Sequence, residues 1–586
     1  MRTLNQSLLL TLGALAVSAA TYGTQPPDVV TSDSAFNTAM GTTALASLTS
    51  GGNNTAAGED ALSSNTSANQ NTAFGSNALE SNTTGGNNTA SGAYALISNT
   101  TGSNNTASGT EALNDTTTGN YNTAVGSFAL YGASFYPNNP AGATGSYNTG
   151  IGANALYSYS TGSYNTASGY LALESDTTGS FNTASGAYAL QSNADGTDNT
   201  AAGYYALQAN TSGELNTASG YYALHANTSG NANTASGFYA LYYNTTGSNN
   251  TATGGQALSR NTTGTYNTAS GLDALASNTT GDSNTASGSL ALDFNTTGAN
   301  NTASGYAALY FNTTGANNTA SGYETLIMNT TGNYNNASGY FALHDNTTGS
   351  QNSAVGVQAL FGNKTGNFNT ASGTDALYSN TSGSSNISEG YKAGYNLTTG
   401  SNNIDIGNLG VAAESGTIRI GTTSTQTATY IAGIYGTSVT GNAVVVSSTG
   451  QLGVTVSSER YKTAIAPMGS DTAKLGQLRP VSFRLKSDAT GTRHYGLIAE
   501  EVAKVYPELV IRDESGRIDG VRYDELAPML LNEVQNKNAA QDAEVHELKQ
   551  QQLQMRQQIA ELTALYRATY AAFEKLQAEG QHGAQR

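Results

Sequence analysis

Most of the chain follows one pattern of polar and apolar positions that recurs every 17 residues. The consensus is Asn-Thr-Ala-Ser-Gly-x-Tyr-Ala-Leu-x-x-Asn-Thr-Thr-Gly-x-x, and 22 copies begin at positions from Asn37 to Asn403. Glycine fills the fifth position of every copy, and leucine fills the ninth position of the first 20. Nine extra residues around Ser134–Gly142 separate the sixth copy from the seventh. A fixed period of this kind predicts one structural unit stacked on copies of itself.

The residue types in the repeat predict strands and tight turns. Seventeen residues are too few for a helix–turn–helix unit, and Thr and Tyr in short runs bounded by Gly favour strands. The Asn-Thr-Thr-Gly segment predicts a turn, because Gly and Asn accept positive φ. We therefore predict a mainly β protein whose copies are coils of a β-solenoid or β-roll, each with two short strands. At about 4.8 Å per coil the rod is on the order of 100 Å long.

Few side chains are available to fill each coil. We expect two Ala, one Leu and the edge of one Tyr or Phe ring inside, with Asn and Thr rows forming hydrogen-bonded ladders. This core is thin for 17 ordered residues, so lateral association of chains is expected. The repeats resemble in kind the head repeats of trimeric bacterial surface adhesins and the β-roll shafts of tail-fibre-like proteins. Adhesin heads typically have a shorter repeat, so handedness and coil shape are not carried over.

Two ligand-related interpretations of the repeats are weaker. The many Asn-x-Ser/Thr triplets match N-glycosylation sites, but they keep the 17-residue phase, which favours turn and ladder roles. A regular Thr array is also typical of ice-binding rods. Here each coil has one Thr flanked by Asn and Ala instead of a Thr-x-Thr pair, which disfavours ice binding.

Strand and helix patterns of other kinds follow the repeats. The segments Thr417–Gly421, Ala428–Ala432 and Ala443–Ser447 predict strands of an interwoven β-neck. From Asp542 to Gly580 the chain has good helix formers and two apolar series with a seven-residue period. The first series is Val545, Gln552, Ile559, Tyr566 and Phe573, and the second is Leu548, Met555, Leu562, Thr569 and Leu576. This a/d pattern predicts a coiled coil, without choosing between two and three strands.

Composition and charge divide the chain in two. Its 586 residues include no Cys and no Trp, which excludes disulfides, Cys-ligated metal sites and a thiol nucleophile. Residues 1–456 contain 5 Lys+Arg and 21 Asp+Glu, whereas residues 457–586 contain 17 and 18. The net charge of −17 argues against nucleic-acid binding. No pattern indicates a cofactor or a metal site.

The N-terminus has the features of a secretory signal. Arg2 is followed by the apolar run Leu8–Val17 and by the small residues Ser18, Ala19 and Ala20. No later segment has 18 uninterrupted apolar residues, so no stable membrane span is expected. We predict a protein that is secreted or held at the bacterial cell surface.

Five sequence blocks appear in order after Val456. They are Ser457–Lys462, Leu478–Phe483, His494–Val502, Tyr506–Val510 and Val521–Leu526. This succession resembles the intramolecular chaperone domain of the S74 peptidase family, which occurs at the C-termini of endosialidase tailspikes, phage tail fibres and myelin regulatory factors. The resemblance covers about residues 456–534 and implies a homotrimer.

The resemblance also implies self-cleavage between Val456 and Ser457. Ser457 matches the family's nucleophile and Lys462 its base, five residues later. A serine hydroxyl needs a base to take its proton, and burial makes Lys such a base by lowering its pKa. Ser458 stands where the family often has Asp, which puts cleavage in doubt. His494 is a candidate auxiliary base or orienting group, the alternative being a packed, hydrogen-bonded histidine.

These features predict the following domains: signal peptide 1–20, linker 21–36, repeat rod 37–410, β-neck 411–456, a small α+β S74-like chaperone domain 457–540, coiled coil 541–578 and tail 579–586. The predicted protein is an exported trimeric fibre whose chaperone drives trimerisation and then cleaves itself once. The alternative is an uncleaved adhesin in which this domain is a permanent trimerisation cap. A receptor on a cell surface, or a glycan, is the expected external partner.

Overall fold

The computed structural model describes residues 31–582 apart from 133–141, 433, 435–439, 441–442, 488–489 and 514. The predicted signal peptide, most of the linker and most of the nine-residue insertion lie outside the described residues. The chain forms two compact units, with the boundary between Tyr430 and Ile431.

The first unit is a β-solenoid with one strand per coil. A short strand β1, Thr31–Ser32, pairs antiparallel with the first coil strand, β2. The coil strands are β2 Thr38–Met40, β3 Thr55–Ala57, β4 Thr72–Phe74, β5 Thr89–Ser91, β6 Thr106–Ser108, β7 Thr123–Val125, β8 Thr149–Ile151, β9 Thr166–Ser168, β10 Thr183–Ser185, β11 Thr200–Ala202, β12 Thr217–Ser219, β13 Thr234–Ser236, β14 Thr251–Thr253, β15 Thr268–Ser270, β16 Thr285–Ser287, β17 Thr302–Ser304, β18 Thr319–Ser321, β19 Asn336–Ser338, β20 Ser353–Val355, β21 Thr370–Ser372, β22 Ile387–Glu389, β23 Ile404–Ile406 and β24 Ile418–Ile420.

The coil strands form one parallel sheet in which identical repeat positions face each other. Thr200 pairs with Thr217 and Ala201 with Ala218, for example. The inward alanine at the third position is buried, while the residues on either side of it point outward. The predicted solenoid of 17-residue repeats is therefore confirmed.

Each coil has one strand instead of the two that we predicted. The remainder of the coil contains three non-glycine residues in the left-handed region, at positions 7, 9 and 17 of most copies. In the coil that starts at Asn216 these are Tyr222, Leu224 and Ala232, with φ of 57°, 51° and 55°. Left-handed residues cannot continue a strand, so the second half of the coil is a series of turns.

The core of each coil is complete within one chain. In the same coil Ala218, Ala223 and Leu224 are fully buried, as is the Asn that opens the coil. The expected aromatic edge in the core was wrong for this coil. The ring of Tyr222 stacks outside the core on Tyr205 and Tyr239, with centroids 5.1 and 5.4 Å apart. The rings that we placed inside instead form rows along the rod surface.

Of the three predicted neck strands, the structure contains two. Thr417–Gly421 contains β24, but this strand pairs in parallel with β23 and so extends the solenoid by one coil. Ala428–Ala432 contains no strand; Tyr430 there is almost fully exposed, and a strand needs a partner to satisfy its backbone. Ala443–Ser447 contains β25, Val444–Val446, which forms a hairpin with β26, Leu452–Val454.

The second unit continues with two more hairpins and two α-helices. Strands β27 Val481–Phe483 and β28 His494–Gly496 pair antiparallel, as do β29 Val510–Arg512 and β30 Ile518–Val521. Helix α1 is Ala499–Val505 and α2 is Tyr523–His582; 3₁₀ helices span Glu459–Tyr461, Leu475–Gln477 and Pro507–Leu509. A small core gathers Leu475, Val502, Tyr506, Leu509, Val510, Val521 and Leu526.

The predicted coiled-coil segment lies within α2, which is 60 residues long and begins well before Asp542. Its heptad positions are uncovered in the single chain: Leu548 is 56% exposed and Leu562 is 71% exposed. None of the helices in the described part of the chain is long and apolar enough to cross a membrane.

Candidate functional site

A tight turn brings Ser457 and Lys462 together, and these two residues are called the dyad below. The N–H of Tyr461 donates to the carbonyl of Ser458, and the N–H of Lys462 donates to that of Glu459, both at 3.0 Å. This 3₁₀ turn shortens the path between its two flanking residues. As a result the Lys462 Nζ donates a hydrogen bond to the Ser457 Oγ at 3.2 Å.

The geometry distinguishes the two adjacent serines. The Ser457 hydroxyl is the one that Lys462 contacts, whereas Ser458 precedes the 3₁₀ helix and supplies its carbonyl to the turn. Both Ser457 and Lys462 are exposed, and Val456 before them is 58% exposed. The arrangement can support proton transfer from serine to lysine once the amine is neutral.

His494 lies elsewhere in the unit. It sits in β28 opposite Phe483, and the two rings stack with centroids 5.8 Å apart. Among the described residues, no hydrogen bond joins His494 to Ser457 or Lys462. Its auxiliary role stays a prediction.

An ion pair that the sequence did not reveal ties two of the blocks together. The Arg479 guanidinium donates to the Glu501 carboxylate at 2.5 and 3.2 Å. This hydrogen bonding holds the pKa of Glu501 below its ordinary value and raises the pKa of Arg479. Glu501 is also in the first turn of α1, where an acidic side chain interacts favourably with the helix dipole. Its partner lies 22 residues away in the chain, and nothing in the sequence indicates that pairing.

The segment after the dyad is fastened to α2. The side-chain amides of Asn532 and Asn536 donate to the carbonyl of Gly469 at 3.0 and 2.8 Å. Asn532 also donates to the Thr472 Oγ1 at 2.6 Å. Single polar contacts between distant segments have no sequence signature, so these were missed. They link residues 469–472, which follow Ser457 and Lys462 in the chain, to the N-terminal part of the long helix.

An open cavity of about 280 Å³ lies apart from the dyad, between β30, the start of α1 and the start of α2. Phe483, Leu497, Ile518 and Tyr523 are among its lining residues. Within the described residues, no group of three or more His, Asp or Glu side chains is placed to hold a metal ion.

Comparison with known families bears on the same segment. Residues 457–511 match the peptidase S74 family, the chaperone of endosialidase. The S74 match begins at Ser457 itself and ends in β29, and it confirms the resemblance seen in the sequence blocks. No curated protein and no solved structure matches the chain. A β-solenoid followed by an S74 segment makes the chain similar to tail-fibre proteins that carry an intramolecular chaperone and act outside the cell or at its surface.

Proposed function

We propose that this chain is an exported, trimeric fibre or adhesin-like protein that cleaves itself once between Val456 and Ser457. The observation that carries the proposal is the 3.2 Å contact between the Ser457 Oγ and the Lys462 Nζ, at the first residues of the S74 match. The S74 segment would align three chains before the cut. No external substrate is involved.

The proposed chemistry is an acyl shift followed by hydrolysis. The Ser457 Oγ attacks the carbonyl carbon of Val456 while neutral Lys462 takes the hydroxyl proton. The carbon–nitrogen bond then breaks, and the proton passes to the departing α-amine of Ser457. Water hydrolyses the resulting ester, which leaves a carboxylate on Val456 and restores the Ser457 hydroxyl.

Ser457 and Lys462 are exposed in the single chain. This exposure supports an order of events in which three chains assemble first and cleavage follows. A lysine side chain acts as a general base only in its neutral form, and removing water from an amine favours that form. Neighbouring apolar residues such as Val444, Leu452 and Val456 are also more than half exposed in the single chain. Trimerisation would cover both the lysine and these side chains.

Gel electrophoresis and mass spectrometry of the purified full-length chain test the cleavage. We expect a fragment of residues 457–586 from the wild type, and none from Ser457→Ala or Lys462→Met. Ser458→Ala is the matched control and should still release the fragment. A wild-type chain that stays intact under all conditions would contradict self-cleavage.

The second candidate is an uncleaved adhesin with a permanent trimerisation cap. It is favoured by Ser458, which stands where the S74 pattern often has an acidic residue. Light scattering separates the candidates, because an intact wild-type trimer of full-length chains is expected only for the cap. Binding of a receptor on a cell surface, or of a glycan, remains part of the proposal in either case.

A further inference from the structure

One side of the solenoid is almost free of charge over its whole length. This side, called the strand face below, is formed by the outward residues on either side of the buried third position in β2–β24. Among these outward residues only Glu389 is ionisable. The other charged residues of the coils lie elsewhere in the repeat, as Asp273 and Glu324 do at the seventh position. A surface that stays in water normally carries interspersed charges of both signs, so the strand face has the composition of a covered surface.

The last three strands make the strand face apolar. Isoleucine replaces the outward threonine there, and Ile387, Ile404 and Ile418 are register partners in one row. Ile406 and Ile420 are register partners in a second row, on the other side of the buried position. Ile418 is 66% exposed and Ile420 is 71% exposed. An exposed apolar patch with polar surroundings is typical of an interaction site.

The strand face is large enough for a stable contact between chains. The 23 coil strands that the structure describes contain three residues each. At about 4.8 Å between strands and about 3.3 Å per residue, they present about 1,100 Å² per chain. A stable protein interface takes about 800 Å² from each partner. The hydroxyls of Thr and Ser both donate and accept hydrogen bonds, so a row of them can pair with the same row of another copy.

We propose that the strand face is the surface through which the rods of three identical chains meet, parallel and with their isoleucine ends together. This inference rests on the trimer of the proposed function and names the face that the trimer covers. The partner is a second copy of this chain, because an uncharged face rich in hydroxyls is complementary to itself. The parallel order follows from the isoleucines, which cover one another only when the same ends of the rods coincide. The chain also continues from this end towards the S74 segment, which is proposed to align the three chains.

Chemical cross-linking of the full-length protein tests the interface. The chain has no Cys, so a single introduced thiol reports on its own position alone. Ser219 lies on the strand face in β12, and Ser229 is an exposed serine in a turn of the same coil. With a short bis-maleimide, Ser219→Cys should give covalently linked chains on a denaturing gel. Ser229→Cys is the matched control and should remain unlinked.

A substitution in the apolar patch gives a second measurement. Ile406→Lys places a charge on the strand face, whereas Leu409→Lys places the same charge just after β23. The two wild-type side chains are similarly exposed, at 41% and 45%. Ile406→Lys should lower the unfolding temperature of the fibre, because it puts a charge into the covered patch, and Leu409→Lys should leave it unchanged. Circular dichroism measures both and checks that each rod is folded.

Light scattering of the same samples separates failure of this inference from failure of the proposed function. A trimer in which Ser219→Cys stays unlinked, or in which Ser229→Cys links equally well, would overturn the interface and leave the trimer standing. An unfolding temperature that Ile406→Lys does not change would also overturn it. If Ile406→Lys destabilises a trimer whose Ser219→Cys stays unlinked, the same chain covers the isoleucines and the rods do not meet. A monomeric wild type would overturn the proposed trimer and the interface together.

Discussion

Individual asparagines hold the rod together through two buried ladders. The Asn244 side-chain amide donates to the Asn227 Oδ1 at 2.8 Å and accepts from the Asn261 amide at 2.8 Å. At the first repeat position, the backbone N–H of Asn233 donates to the Asn216 Oδ1 at 3.0 Å. Each side chain is both donor and acceptor, so buried polar groups are satisfied along the stack.

The ladder ends explain two of the unpartnered buried atoms. The Oδ1 atoms of Asn99 and Asn380 lack a donor, because the next twelfth-position residues are Thr116 and Leu397. The ladders were predicted from the repeat, but the unpartnered oxygen atoms at their ends were not. The direction of donation, which decides the orphaned atom, appears only in three dimensions.

Asp176 gives a pH-dependent prediction at one ladder position. It accepts from Asn193 at 3.2 Å, and its Oδ2 is buried without a partner. Burial raises the pKa of Asp176 well above its ordinary value. A raised folded-state pKa means that stability is present at acidic pH and is lost as pH rises through that pKa. Asp176→Asn, which restores the amide, should therefore raise the urea midpoint at pH 7.5.

The gain from Asp176→Asn should disappear below about pH 4, where aspartate is protonated in the folded and unfolded chain alike. Urea titrations followed by circular dichroism at both pH values measure it. Glu214→Gln, which removes a charge from an exposed position in a later coil, is the control and should leave the midpoint unchanged. A midpoint for Asp176→Asn below that of the wild type at pH 7.5 would contradict the prediction.

The coil as an element was only partly readable from sequence. The period, the turn residues and 22 of the 23 coil strands that the structure describes followed from spacing and residue type. The single strand did not, since Leu224 has a φ of 51° and leucine rarely adopts such a conformation. The stack compensates: the N–H of Leu224 donates to the Ala240 carbonyl of the next coil at 2.9 Å. The strand propensity of a residue describes its preference in isolation. In the solenoid, the hydrogen bonds to the neighbouring coil set the backbone conformation of Leu224.

Helix α2 gives a prediction about assembly. The heptad pattern of α2 was visible in the sequence, but the start of the helix at Tyr523 was not. Pro528 lies inside the helix, and a proline in a sequence is normally a sign that a helix begins after it or close to it. Leu562 lies on the seam, and Leu553 lies off it with similar exposure of 71% and 61%. Leu562→Lys should place a charge in the proposed interchain core and reduce the proposed trimer to smaller species.

Light scattering of the purified full-length variants measures the effect of the helix substitutions. Leu553→Lys adds the same charge outside the seam and should stay trimeric. Loss of the trimer in both variants would point to a general effect of charge, and loss in neither would remove the seam from the proposed interface.

At the scale of the whole molecule, the charge division seen in the sequence has a structural counterpart. The rod buries Ala, Leu and Asn and needs few charges, whereas the second unit is small, with ion pairs such as Arg479–Glu501 at its surface. The S74 segment was recognisable from its ordered blocks. The contact between Ser457 and Lys462 was implied by the resemblance to the S74 family. The buried Ser388 and Asp405 near the end of the rod core were missed, because one Ser and one Asp do not stand out in a sequence.

Removal of one complete coil tests the independence of the repeats. Deleting residues 216–232 joins two coils whose ladders and inward alanines coincide. The unfolding midpoint should stay within about 2 °C, since the coils on either side of the deletion bond only to adjacent coils. Deleting residues 216–231 shifts the register by one and turns the inward face outward. Thermal unfolding by circular dichroism compares the two; equal behaviour would refute the neighbour-only view.

Because the register is the same from coil to coil, the length of the rod changes in steps of one whole coil. Recombination between repeats in the gene adds or removes whole coils while leaving every remaining contact as it was. Each event changes the rod by about 4.8 Å, the spacing of neighbouring strands. A lineage carrying this gene can thus adjust the distance between the two ends of the rod without having to evolve any new side-chain contact.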